Sequence, residues 1–150
     1  MLRVHIGSAR TRGFTLIELI VVMMIITILA GAVSLQVLNR IENSKRARAL
    51  QDISVLETAL DLYGADNGQP PTTQQGLAAL RVEPSSPPAP RNWDGPYIKK
   101  AMPSDPWGNE YLYRFPGQQN PDSYDLISYG RDGRPGGEGA DEDISNYELE

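Results

Sequence analysis

From Leu19 to Val33 the chain carries no charge and, apart from Thr27 and Gly31, consists only of Leu, Ile, Val, Met and Ala. A run this apolar has to be covered by lipid, covered by protein, or removed. From Phe14 to Leu38 the single ionisable side chain is Glu18. As a helix, this stretch extends about 37 Å at ~1.5 Å per residue, enough to cross a hydrocarbon core of about 30 Å. A carboxylate inside such a span costs about 2.5–3.5 kcal/mol to insert. Glu18 therefore needs a reason to be there.

Three readings fit the amino-terminal third. In the first, Arg3, Arg10 and Arg12 hold the amino end in the cytoplasm and residues 14–38 span the membrane, which puts everything after Arg40 on the periplasmic side. The second is a cleaved secretory signal peptide, whose cleavage site would be Ala30-Gly31-Ala32. Glu18 within the apolar region counts against it. The third is a plain membrane anchor with Glu18 reaching to the interface.

Composition narrows the function classes. There is no cysteine, so neither a disulfide framework nor a thiolate metal site can form. Residues 1–100 carry 11 Lys/Arg against 8 Asp/Glu, whereas residues 101–150 carry 3 against 11. An acidic carboxyl-terminal third attracts cations and argues against nucleic acid as a partner. The only histidine is His5, and no nucleophile-elbow or phosphate-loop pattern occurs. Glu57 and Asp61 share a helix face, which reads as a solvated acidic ridge, so no enzyme activity is expected.

Beyond the apolar run the helical period continues. Ala49, Ile53, Leu56, Leu60 and Tyr63 form one stripe, and Gly64 offers a C-cap. The pattern predicts one helix from about Thr15 to Tyr63, its first half in the membrane and its second half amphipathic. Arg40, Lys45, Arg46 and Arg48 follow the membrane exit; they suit anionic headgroups, acidic tails of neighbouring subunits, or plain solvent. Residues 72–80 read as a short helix capped by Thr72 or Thr73, and residues 84–90 as an extended proline-rich loop. Residues 110–115 and 123–129 alternate as antiparallel strands, with a third short strand possible beyond them.

After Tyr129 the chain is glycine-rich and acidic through Asp143. Calcium takes six to eight oxygens, mixing carboxylates with backbone carbonyls, and glycines let carbonyls curl inward. The spacing is not that of an EF-hand. Composition alone leaves two readings open, a calcium loop or a disordered acidic loop.

Gly13-Phe14-Thr15-Leu16-Ile17-Glu18 resembles the processing signal of type IV pilins and type II secretion pseudopilins. Residues 56–80 (LETALDLYGADNGQPPTTQQGLAAL), Tyr97-Ile98-Lys99-Lys100 and Asp105-Pro106-Trp107-Gly108-Asn109-Glu110-Tyr111 resemble the major pseudopilins of type II secretion. The resemblance covers nearly all of residues 13–147. It implies a pilin-like α+β fold: a long amino-terminal helix, membrane half plus amphipathic half, packed on a small antiparallel sheet with a calcium-binding carboxyl-terminal loop. It implies a leader over residues 1–13, a transmembrane half over 14–38 and a periplasmic domain over 39–150.

It further implies cleavage between Gly13 and Phe14 by the prepilin peptidase, with methylation of the Phe14 amino group. Glu18 would pair with the methylated amino group of a neighbouring subunit and so set register between stems. For Ca2+ it implies side chains of Asp132 and Asp143 and carbonyls of Tyr129 and Arg134, with Asp141 a further candidate. Where the family commonly has tryptophan after the asparagine of this motif, the chain has Tyr147. It also has Leu35 where pilin-like stems often carry a proline, which would leave any local melting of the stem to Gly31.

The implied function is a homopolymer-forming subunit of the periplasmic pseudopilus that drives protein export. Its stem would sit in the inner membrane as a single pass, with the amino end cytoplasmic and the remainder periplasmic. Implied partners are further copies of the chain, minor pseudopilins, the inner-membrane assembly platform and membrane lipid. Two alternatives stand beside it. One is a major type IV pilin, although such pilins usually close their carboxyl region with a disulfide. The other is a secreted periplasmic calcium-binding protein.

Overall fold

A computed structural model describes residues 13–99 and 104–148. Helix α1 (Leu16–Asn67) is followed by strands β1 (Leu112–Arg114), β2 (Asp125–Ser128) and β3 (Ile144–Ser145). Short 3₁₀ turns lie at Leu77–Leu80, Gly139–Asp141 and Asn146–Glu148. Contacts group the chain into two units, with the boundary between Asn39 and Arg40.

In the first unit, Thr15 starts α1. Its hydroxyl accepts from the Glu18 amide at 3.3 Å and its carbonyl accepts from the Leu19 amide at 3.2 Å. This satisfies one of the amides that a helix start leaves without a partner. Glu18 thus lies in the first turn, where the helix dipole favours a negative charge. The large aliphatic side chains described between Leu16 and Leu29 are exposed, Leu16 at 77% and Val22 at 47%. Among the described residues no helix is long and apolar enough to cross a membrane. The side chains of residues 32–37, which the expected span needs, lie outside the described set, as does the leader up to residue 12.

In the second unit the helical stripe packs as its period dictates. Ala49, Ile53, Leu56, Leu60 and Tyr63 are buried, joined by Ala59. They meet Leu77, Ala79 and Leu80 and the inward face of the sheet, which carries Tyr113, Leu126 and Ile144. Fully burying a leucine side chain contributes about 1.5–3 kcal/mol, so this stripe is the main stabilising element of the unit. The sheet is antiparallel in order β1-β2-β3, with Tyr113 opposite Leu126, Ile127 opposite Ser145 and Ser128 opposite Ile144.

Three local expectations change. Helix α1 runs four residues past Tyr63, so Gly64 is internal and Gly68, at φ +85°, takes the capping role. The Gly68 amide donates to the Gly64 carbonyl at 2.7 Å, while the Asn67 side chain donates to Tyr63 O and accepts from the Asn92 amide. Only Leu77–Leu80 of the helix expected at 72–80 is helical, and it is 3₁₀. Thr72 and Gln75 do cap each other, amide to side chain both ways, at 2.9 and 3.2 Å. The strands are shorter than their alternation suggests. The Phe115 amide leaves the ladder to donate to Thr73 Oγ1 at 2.9 Å, and the Asp105 amide takes the Asn109 carbonyl into a turn.

Candidate functional site: the carboxyl-terminal loop

Between β2 and β3 the chain loops out from Tyr129 to Asp143, and the turn from Asp105 to Asn109 anchors the start of that loop. Asp105 is buried at 4% exposure. Its Oδ1 accepts from the amides of Trp107 (3.1 Å) and Asn109 (2.7 Å), and its Oδ2 accepts from the Ser128 hydroxyl at 2.7 Å. Ser128 Oγ in turn accepts from the Gly130 amide at 3.3 Å, while Asn109 Nδ2 donates to the Gly130 carbonyl at 2.7 Å. Both backbone groups of Gly130 are therefore held by side chains whose own partners are fixed. A charged acceptor with three donors is a strong anchor in a buried site.

The loop then closes on itself. Arg131 N donates to Ala140 O at 3.0 Å, and the Arg131 guanidinium makes two bonds of 2.9 Å to Asp141. Asp141 holds the Arg131 pKa above its ordinary value, chiefly through this hydrogen-bonded pairing. The Arg134 amide donates to Asp132 Oδ1 at 3.1 Å, and the Gly136 amide donates to Asp143 Oδ2 at 2.9 Å. Gly137 sits at φ +95°, and a Cβ there would collide with the Asp141 carbonyl oxygen. Only glycine permits this backbone to pass so close to another carbonyl.

The expected cation ligands separate into groups. Asp143 enters the loop with Oδ2 on Gly136, while its Oδ1 is buried without a hydrogen-bond partner. Asp132 is exposed and holds the Arg134 amide; Tyr129 and Arg134, expected to contribute carbonyls, flank the Gly130–Gly133 turn. Asp141 is turned to Arg131. Among the described residues no three His, Cys, Asp or Glu side chains are grouped to hold a metal. A cation here would rest on backbone carbonyls, neutral oxygens and few carboxylates, a donor set suited to calcium. An orphaned buried carboxylate oxygen inside a carbonyl-rich turn fits that group.

Two contacts join this region to α1 within the second unit. Trp107 Nε1 donates to Glu42 Oε2 at 2.9 Å, and Arg46 Nη1 lies 2.8 Å from Glu142 Oε2. The 105–109 motif carries the family resemblance in sequence, but its support of Gly130 appears only in the fold. Arg46, for which the sequence allows headgroups, a neighbour's acidic tail or solvent, here meets an acidic residue of its own chain. At the other end of the chain, Gly13 and Phe14 precede α1 in non-helical backbone and both are exposed.

The sequence profile described as type II secretion system (T2SS), protein G matches residues 36–147, and that of the prokaryotic N-terminal methylation motif matches residues 8–34. The type II secretion system core protein G of Pseudomonas aeruginosa is 46% identical over 136 residues, covering 91% of this chain and 94% of that protein. The protein of the same name from Vibrio cholerae is 45% identical over 139 residues, covering 92% of each. Among solved structures, the major pseudopilin of the type 2 secretion system of enterohaemorrhagic Escherichia coli superposes with a TM-score of 0.64 at 41% identity. That match covers 74% of this chain and 89% of the crystallised one.

Proposed function

The chain belongs to the type II secretion system protein G family, and from that premise we propose that it serves as the structural subunit of a periplasmic pseudopilus. The observation that carries this reading is the presence of both profiles in tandem: a methylation motif over residues 8–34 running into a protein G body over 36–147. A type IV pilin would share the first and not the second.

The prepilin peptidase cuts between Gly13 and Phe14 and the new amino group is methylated. Residues 14–38 then hold the subunit in the inner membrane as a single pass, which gives the exposed aliphatic surface of α1 its cover. The globular part, residues 39–150, lies in the periplasm. Copies stack through their stems, in partnership with minor pseudopilins and the inner-membrane assembly platform. Apolar packing between stems supplies the adhesion. Glu18 and a neighbour's amino terminus supply the register, because each charge is costly in lipid unless matched. The role is mechanical, and no catalytic group is assigned.

Calcium fits the carboxyl-terminal loop. Asp143 and Asp132 would hold it, with carbonyls of Tyr129 and Arg134. A bound cation would offset the acidic charge of the loop and tie its two ends, a staple in a chain without cysteine. Asp141 contributes through its pair with Arg131, which shapes the loop from outside.

Intact mass of the protein extracted from membranes tests the reading. A mass that starts at methylated Phe14 supports a pilin-like subunit. A soluble product that starts near Ser34 overturns it and leaves a secreted domain.

A further inference from the structure

Among the described residues, two buried side-chain oxygens have no hydrogen-bond partner: Asp143 Oδ1 and Ser145 Oγ. They are two residues apart, on either side of Ile144. Ile144 points into the core against α1, at 2% exposure. In extended backbone successive side chains alternate between faces, so Asp143 and Ser145 share the opposite face of the sheet. The register places Ser145 beside Ile127, on the face away from α1.

The isolation of Ser145 is not a general trait of this sheet. Ser128, equally buried, donates to Asp105 and accepts from Gly130. Asn146 accepts from the Leu126 amide at 2.9 Å and donates to the Tyr124 carbonyl at 3.1 Å. Ser145 is only 1% exposed, so bulk water does not serve its hydroxyl. Buried hydroxyls with neither protein nor solvent partner are rare and ask for an explanation.

We propose that Ser145 is a cation ligand of the carboxyl-terminal loop, its hydroxyl oxygen directed at the same ion as Asp143 Oδ1. The inference rests on the calcium reading above. A hard divalent cation seeks six to eight oxygens, and of this loop's carboxylates Asp141 and Glu142 are already paired with Arg131 and Arg46, so neutral oxygens must complete the set. A serine hydroxyl has two lone pairs for that purpose. One ion on this face explains both orphaned oxygens, whereas a core-filling role for Ser145 explains neither.

The test uses the full-length protein in detergent micelles. Calcium affinity is measured by calorimetric titration, and the unfolding midpoint is measured with calcium and with EDTA. Ser145→Ala is expected to weaken calcium binding at least roughly tenfold, the scale seen even for groups that only support a metal ligand. Its midpoint in EDTA should stay level or rise, because an unserved hydroxyl has been removed, while its midpoint in calcium should fall. Ser145→Thr, which keeps the oxygen, should restore the affinity.

Wild-type calcium affinity in Ser145→Ala overturns the inference and leaves the calcium reading intact. Equal lowering of both midpoints, with affinity unchanged, marks Ser145 as core filling and also overturns it. No binding by the wild-type protein overturns the calcium reading and the inference together.

Discussion

The indole N–H of Trp107 donates to Glu42 Oε2 at 2.9 Å, a contact between residues 65 apart in sequence. It joins the turn that anchors the carboxyl-terminal loop to the first helical turns of the Arg40–Glu150 unit. Glu42 Oε1 also lies 3.7 Å from Lys45 Nζ, so the indole and the ammonium use different oxygens of one carboxylate.

Replacing Trp107 with Phe keeps an aromatic ring at the site but removes the donor and part of the surface packed on the core. A hydrogen bond to a charged acceptor contributes about 1.5–3 kcal/mol when buried, and Glu42 is partly hydrated, so about 1 kcal/mol is expected here. A loss of that size lowers the unfolding midpoint of a domain this large by roughly 4 °C. Thermal unfolding of the full chain followed by circular dichroism reads the effect. An unchanged midpoint would show that water replaces the indole at no cost.

Asp125 gives the fold a pH dependence. Burial works to raise its pKa, but the amides of Gln119, Asn120 and Gln118, with Arg114 nearby, outweigh burial and hold it below the ordinary value. The amide contacts run from 2.6 to 3.3 Å and gather the whole 118–120 turn on one carboxylate. A depressed pKa means the contribution is present above the unfolded value of about 3.9 and is lost as pH falls through the folded value. Amide-exchange protection at residues 118–120, relative to the intrinsic rate at each pH, should therefore fall as the pH drops below about 4. Asp125→Asn should show fast exchange at neutral pH and no further acid step.

Gly137→Ala separates an ordered loop from a disordered acidic one. In the folded loop a Cβ at this position meets the Asp141 carbonyl, and φ is +95°. Strain of this kind costs of order 1–3 kcal/mol. The difference in unfolding midpoint between calcium and EDTA should shrink markedly in the variant. In a disordered loop the substitution would leave both midpoints in place.

Much of this was legible in the residues, and the exceptions share one cause. The stripe from Ala49 to Tyr63 could be read because core burial imposes the helical period directly on sequence. The choice between Gly64 and Gly68 as the helix stop could not. Both are glycine, and the decision rests on Asn67 reaching Tyr63 and Asn92. The strand ends were misjudged because Thr73 captures the Phe115 amide from 42 residues away. Asp125 reads as one more acidic residue until the turn brings three amides to it. Thr15-Leu16-Ile17-Glu18 was a capping pattern in plain view.

The double character of Glu18 yields the last prediction. As a first-turn residue behind the Thr15 cap, it favours the helix start by a few tenths of a kcal/mol, up to about 1. As a partner for a neighbour's amino terminus it would decide whether stems lock in register. Thr15→Ala weakens the cap by about 1 kcal/mol and leaves the carboxylate in place. Glu18→Leu removes the charge and makes insertion easier by about 2.5–3.5 kcal/mol. If register dominates, Glu18→Leu should remain in the membrane fraction yet form no fibres under electron microscopy, while Thr15→Ala assembles almost normally. If helix initiation dominates, the two variants should fail alike, and Glu18→Gln should assemble because the amide still suits a capping box. Normal fibres from Glu18→Leu would remove the register role altogether.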